Sequence, residues 1–231
     1  MEVEGCELPE DRRYDMEHDL WYRPLENGPL AEVGILSSLA SFAGKFTSVS
    51  FRPVEGPMAA GRSVATIESV RFTGAVRLPV DAVVMERNQA LLARPKLLND
   101  SPYDRGWVVR IRPTSATGPP PQLETADAVS ERLRARILEL GVHCYPAAPD
   151  VELFEIGAEC AAILARLDEE LEARAPEDIV LLVTDDPTSP IEMVRWEDRS
   201  GHSVLMHRQD RTLHQFLVRK EASPHPRRRP G

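Results

Sequence analysis

The stretch Ile67–Val80, IESVRFTGAVRLPV, decides how the first half of this chain folds, because it has the pattern of a hairpin with one side chain, Arg71, presented at its tip. Working outward from it, the runs AEVGIL, FTSVSF, SVATIESV, GAVRLPVDAVVME and GWVVRIRP lie between Leu30 and Arg112. Gly, Pro and Asn punctuate them as turn residues punctuate strands. Alternation places Thr47, Val49 and Phe51 on a buried face, with Ser48 and Ser50 opposite. SSLASFAG, ending at Gly44, has the form of a short helix, and ALLARPKLLNDSPYD that of a helical turn running into a loop.

TSATGPPPQ, Thr114 to Gln122, then interrupts with a proline triplet suited to an extended linker. Apolar residues at Leu123, Ala126, Val129, Leu133, Ile137 and Leu140 follow at helical spacing and stop at Gly141, predicting a helix that bridges two halves. From Val151 the grammar changes. VELFEI predicts a strand, CAAILARLDEELEAR a helix and DIVLLVTD a buried strand. TSPIEMVRWEDRSG predicts a helix capped by Thr188 or Ser189 and ended by Gly201. HSVLMHRQDRTLHQFLVRK predicts a hairpin turning at Gln209 to Arg211.

The expected architecture is two domains. Residues 1–117 form an all-β flattened barrel or sandwich with short helices. Residues 118–150 supply the Pro-rich linker and bridging helix. Residues 151–221 form an α+β two-layer sandwich of βαβαββ order, and 222–231 a disordered basic tail.

A net charge of −9 over 231 residues provides no electrostatic footprint for nucleic acid, since the only basic run, Arg227 to Arg229, sits in that tail. No apolar run approaches the roughly 20 residues of a membrane span, and MEVEGCELPEDRR lacks the form of a secretory signal. The expectation is a cytoplasmic protein without membrane or nucleic-acid partners. A reducing compartment argues against structural disulfides, so Cys6 and Cys144 are taken as incidental. His202, His207 and His214, and the pair Asp185 and Asp186, are taken as structural or solvated, with no metal site expected.

The first half resembles the glycine cleavage system H protein, the lipoyl carrier of that complex, over Leu8 to Pro113. The resemblance rests on PEDRRY and EHDLW, VGI at Val33 to Ile35, Gly44, IESVR, Pro79, Glu86 to Asn88, and PKLLNDSPYDRGW from Pro95 to Trp107. It implies the lipoyl-type hybrid barrel. One departure is Leu20 standing before Trp21, where the family places the tryptophan directly after the acidic residue. The larger departure is that the family's ESVK, whose lysine takes lipoate, is ESVR here. A guanidinium stays protonated and cannot form the lipoyl amide, so no lipoate is expected on Arg71. The chain's only lysines are Lys45, Lys96 and Lys220, and none lies in the hairpin.

The second half, Leu153 to about Lys220, resembles SirA/TusA-type sulfur carriers, which hold sulfane sulfur as a cysteine persulfide. Gly157, Cys160, TDDP at Thr184 to Pro187, Trp196, Gly201, His202 and FLVRK carry the likeness, while the family's CPXP is CAAI here. The resemblance makes Cys160 the candidate persulfide carrier. A helix N-terminus would favour its thiolate and Glu159 would oppose it, and a small buried hydrophobe is the alternative. Together these point to a carrier or adaptor rather than a turnover enzyme, with no resident cofactor, partnering a lipoate-dependent or sulfur-transfer complex. A non-catalytic scaffold and a genuine H protein stand as alternatives.

Overall fold

The Val-, Ile- and Thr-rich runs pair as strands in the computed structural model, which describes residues 1–26, 28–114 and 122–224. Most of the expected Pro-rich linker and the run Arg227 to Arg229 lie outside the described residues. The chain divides into two compact units, Met1–Tyr145 and Pro146–Gly231.

In the first unit the order is β1 (Glu2–Val3), β2 (Cys6–Glu7), β3 (Arg13–Asp15), β4 (Leu20–Pro24), β5 (Ala31–Ile35) and α1 (Ser37–Ala43). Next come β6 (Phe46–Phe51), β7 (Pro57–Met58), β8 (Ser63–Ser69), β9 (Thr73–Arg77) and β10 (Ala82–Arg87). Two short helices, α2 (Ala90–Ala93) and α3 (Leu97–Asp100), β11 (Val109–Pro113) and α4 (Ala126–Leu140) complete it. A six-stranded sheet, β3-β4-β5-β11-β10-β7, faces a three-stranded one, β6-β8-β9. Leu20, Val33, Ile35 and Ile111 from the first meet Phe46, Val49, Ile67 and Val76 from the second in one core. This is the flattened sandwich expected of the first half.

In β6 Val49 is buried and Phe51 packs against the core, with Ser50 exposed, as the alternation predicts. Thr47 departs from it, because a bulge between Phe46 and Ser48 breaks the alternation at the start of the strand, leaving Phe46 buried and Thr47 exposed.

The structure also corrects the assignment of the long helix. Thr125 accepts the Ala128 amide as its N-cap and Gly141 ends it in the left-handed region, at φ 60°. Its stripe of Ala126, Val129, Leu133 and Ile137 is buried with Leu8, Tyr14, Trp21, Leu36 and Tyr103. These lie behind the six-stranded sheet, because Trp21 points to the opposite face from Leu20. The helix therefore belongs to the first unit, whose boundary falls after Tyr145 rather than at 117 and 150. An apolar stripe has to be covered, and the back of β3 and β4 is where it is covered.

That return also overturns the expectation for two cysteines. Cys6 and Cys144, 138 residues apart, form a disulfide. Spacing alone gave no sign of it, because only α4 folding back brings residue 144 to β2.

Scattered motifs converge on the Trp21 indole. Trp21 pairs across the ladder with Gly34, and a Cβ at Gly34 would fall 2.5 Å from the ring, so glycine is required there. Arg12 stacks over Trp21 at 4.6 Å, and Trp21 Nε1 donates to the Pro102 carbonyl at 3.0 Å.

In the second unit β12 (Val151–Glu155), α5 (Cys160–Glu172), β13 (Ile179–Thr184), α6 (Ser189–Ser200), β14 (Ser203–Asp210) and β15 (Leu213–Arg219) follow in order. The sheet runs β12-β13-β15-β14, with β12 and β13 parallel and the rest antiparallel. The parallel pair needs a crossover, which α5 supplies. Ile163, Leu167 and Leu171 of α5 and Met193 and Trp196 of α6 pack with Val180, Leu182, Phe216 and Val218 from one face of the sheet.

Candidate functional site

The tip of the β8–β9 hairpin is the first candidate. Ser69 donates its amide to the Phe72 carbonyl at 2.8 Å, closing a turn over Val70 and Arg71. Val70 is 98% exposed. Arg71 is exposed but does not stand away from the protein. Its guanidinium folds onto the end of α1, with Nε donating to the Phe42 carbonyl at 3.1 Å and Nη2 to the Ser41 carbonyl at 3.3 Å.

The last carbonyls of a helix have no partners within it and carry its negative partial charge, so a cation is favoured there. Here three side chains, two from the hairpin and one from α3, satisfy the end of α1. Asn99 Nδ2 donates to the carbonyls of Ala40 at 3.0 Å and Gly44 at 2.8 Å. Arg71 takes those of Ser41 and Phe42, and Ser69 Oγ donates to that of Ala43 at 2.6 Å. Gly44 closes the helix at φ 72°, where a Cβ would come 3.1 Å from the Arg71 guanidinium. Phe72 lies edge-on to Phe42 and Phe46 beneath the tip. Sequence reasoning found Arg71 and Gly44 but not Ser69 or Asn99, whose partners are backbone atoms that no motif displays.

Cys160 is the second candidate. It is the first residue of α5, half-buried, and the chain's only cysteine outside the disulfide. The amide that would favour its thiolate is already engaged, because the Asp186 carboxylate accepts the Cys160 backbone N–H. Asp186 Oδ1 also accepts the Thr188 amide and hydroxyl, both at 2.7 Å, and these bonds hold its carboxyl below the usual range. Burial pushes the Cys160 thiol above its ordinary value, and the Asp186 charge pushes it further. The Thr188 hydroxyl pulls the other way. The resting side chain is therefore a thiol rather than a thiolate at neutral pH. Asp185 is used differently, accepting the Gly157 amide at 2.7 Å.

The histidines do not converge. His207 Nε2 and His214 Nδ1 lie 3.1 Å apart across the β14–β15 hairpin, and His207 stacks on Phe216 with ring centres 4.5 Å apart. His202 instead lies beside Trp196 and accepts the Glu221 amide through Nδ1. Among the described residues no three His, Cys, Asp or Glu side chains are grouped to hold a metal ion. Among the same residues no helix is long and apolar enough to cross a membrane.

Residues 12–135, more than half of the chain, match the family model described as glycine cleavage H-protein. The chain belongs to the glycine cleavage H-protein family. Among its relatives, glycine cleavage system H protein 5 of Aquifex aeolicus is 35% identical over 147 residues, 62% of this chain and 98% of that protein. H protein 2 of the same organism is 30% identical over 143 residues, covering 62% and 88%. A probable H protein 2 of Sulfolobus acidocaldarius is 33% identical over 110 residues, covering 47% and 73%. Among solved structures, a Mycobacterium marinum H protein aligns at TM-score 0.47 and 25% identity, over 55% of this chain and 98% of that one. The H-protein match ends inside α4, consistent with that helix being part of the first unit.

Proposed function

We propose that this chain is an H-protein-family adaptor that docks through the β8–β9 hairpin without carrying a lipoyl group there. The observation that supports this reading is Arg71, at the position where the resemblance puts the lipoyl lysine, with its guanidinium on the Ser41 and Phe42 carbonyls. A guanidinium does not deprotonate at physiological pH and so does not attack an activated acyl group. Here its donors are also turned toward α1 as a helix cap. What the hairpin still offers a partner is shape, an exposed Val70 and the edge-on Phe42–Phe72 pair, and positive charge. The partners in this reading are proteins of a lipoate-dependent complex, met in the place of a loaded carrier.

The second unit, in the same proposal, is a sulfur-carrier-like module whose candidate covalent site is Cys160. The supporting observation is a half-exposed thiol at the first residue of α5, beside the Thr188 hydroxyl. Loading would transfer a sulfane sulfur from a donor persulfide, R–S–SH, to the Cys160 thiol. The product is Cys160–S–SH, and the donor leaves as R–SH. Asp186 opposes this by favouring the protonated thiol, so loading needs a donor that brings its own reactive sulfane sulfur.

Incubation with lipoate, ATP and a lipoate ligase tests the first part. The wild-type mass is expected to stay unchanged while Arg71→Lys gains the lipoyl group; a wild-type adduct on the hairpin overturns the reading. Incubation with a persulfide donor tests the second part. One added sulfur, absent from Cys160→Ser, supports relay, and equal labelling of both removes it.

A further inference from the structure

Helix α1 touches the hairpin tip at one end and the disulfide along its side. Ser41 makes both contacts, its carbonyl accepting from Arg71 Nη2 at 3.3 Å and its Oγ donating to Cys144 Sγ at 3.2 Å. The start of α1 is held on the other half of the bond. Ser37 Oγ and the Tyr103 hydroxyl both donate to the carbonyl of Glu7, the residue after Cys6, at 3.0 and 2.8 Å. Cys6 is fully buried, whereas Cys144 is half-buried in the segment that follows α4. Gly5, at φ 80°, faces the Cys144 carbonyl, where a Cβ would come within 3.3 Å. The bond thus holds residues 141–145 against both the β1–β2 turn and the flank of α1.

We propose that the Cys6–Cys144 disulfide is a redox latch on the hairpin tip. Closed, it seats Cys144 under Ser41 and fixes α1, and with it the carbonyls that Arg71 and Ser69 cap. Opened, the segment after α4 loses its tether, Ser41 loses its sulfur acceptor, and the end of α1 and the tip loosen together. Opening is a thiol–disulfide exchange. A thiolate of a dithiol reductant attacks Cys144 Sγ, the more accessible sulfur, and the S–S bond breaks. Cys6 leaves as thiolate and takes a proton. The reductant's second thiol then displaces Cys144 from the mixed disulfide, so the reductant ends as its own disulfide and the chain as two thiols.

The consequence for partner capture rests on the docking role proposed above, but the latch itself does not. Hydrogen exchange on the full-length protein tests it, comparing peptides spanning residues 37–44 and 67–75 before and after reduction with dithiothreitol. Intact mass confirms the gain of two hydrogens. The expected result is severalfold faster exchange in those two segments, with β4, β5 and the second unit unchanged. The double variant Cys6→Ser/Cys144→Ser should show the fast exchange without reductant, and in Ser41→Ala the tip should no longer respond to reduction. Unchanged exchange at the tip overturns the latch. A uniform rise across the first unit also overturns it, making the bond a structural staple, as does failure of the two thiols to pair under oxidised glutathione. None of these outcomes alters the lipoylation test, so failure of the latch and failure of the docking role are separable.

Discussion

Arg71 Nε lies 3.1 Å from the Phe42 carbonyl, so the residue at the tip of an exposed hairpin serves as the C-terminal cap of a helix from elsewhere in the chain. A side chain that a carrier would extend into solvent is here turned inward. Arg71→Ala should cost about 0.5–1.5 kcal/mol, the net value of such hydrogen bonds, reduced by solvent exposure. Urea unfolding of the first unit measures it. The same variant should raise hydrogen exchange at Ala43 and Gly44, whereas Arg71→Lys should recover part of the loss by keeping the charge without the fork.

Gly34→Ala should destabilise the first unit by about 1–3 kcal/mol, the usual cost of overpacking. The new Cβ would enter the Trp21 ring at 2.5 Å, and the indole is held by Pro102 and Arg12. A thermal melt followed by tryptophan fluorescence reports both the loss of stability and the displaced ring.

Asp186→Asn should make Cys160 more reactive. Removing the adjacent negative charge removes one of the forces that raise the thiol, and each pKa unit recovered is worth about tenfold in thiolate. Alkylation by iodoacetamide at pH 7 should therefore quicken severalfold in the variant. An unchanged rate would mean that burial alone sets the thiol.

These sites divide sharply in how far the sequence disclosed them. The sandwich, the hairpin tip and the α5 and α6 helices were legible because turn residues and apolar periodicity are local signals. Gly34, Trp21 and Pro102 were legible as motifs, although their convergence on one ring was not. Thr47 was misplaced because a bulge leaves no mark in composition. The partner of α4 and the Cys6–Cys144 bond were hidden for one reason, that both depend on where the chain returns. At Cys160 the helix start could be anticipated but not Asp186, which reaches the same amide from the turn before α6 and reverses the electrostatics. A helix N-terminus activates a thiol only while its amides stay unclaimed.

The second unit should lose stability in mild acid. Burial lowers His202 and His207 below their ordinary values, with Lys220 and His214 adding to it respectively. The unfolded chain therefore binds protons that the native state resists. Their contribution is complete above about pH 6.5, the unfolded value, and is lost as pH falls through the depressed native values. Asp186 and Glu221, both lowered by hydrogen bonds, add a further loss below about pH 4, where carboxylates protonate. Urea midpoints between pH 7.5 and 5, read from exchange at the Val180 and Leu182 amides, should fall. His207→Phe should flatten that dependence.

The central claim is that the hairpin works without a lipoyl arm, and its most direct test is peptide mass mapping of the native protein across residues 63–77 and the peptides that hold its three lysines. An unmodified peptide with Arg71 intact is the predicted result, together with no lipoyl amide on Lys45, Lys96 or Lys220. A lipoyl group on any of them would contradict it and restore the chain to the lipoyl carriers of its family.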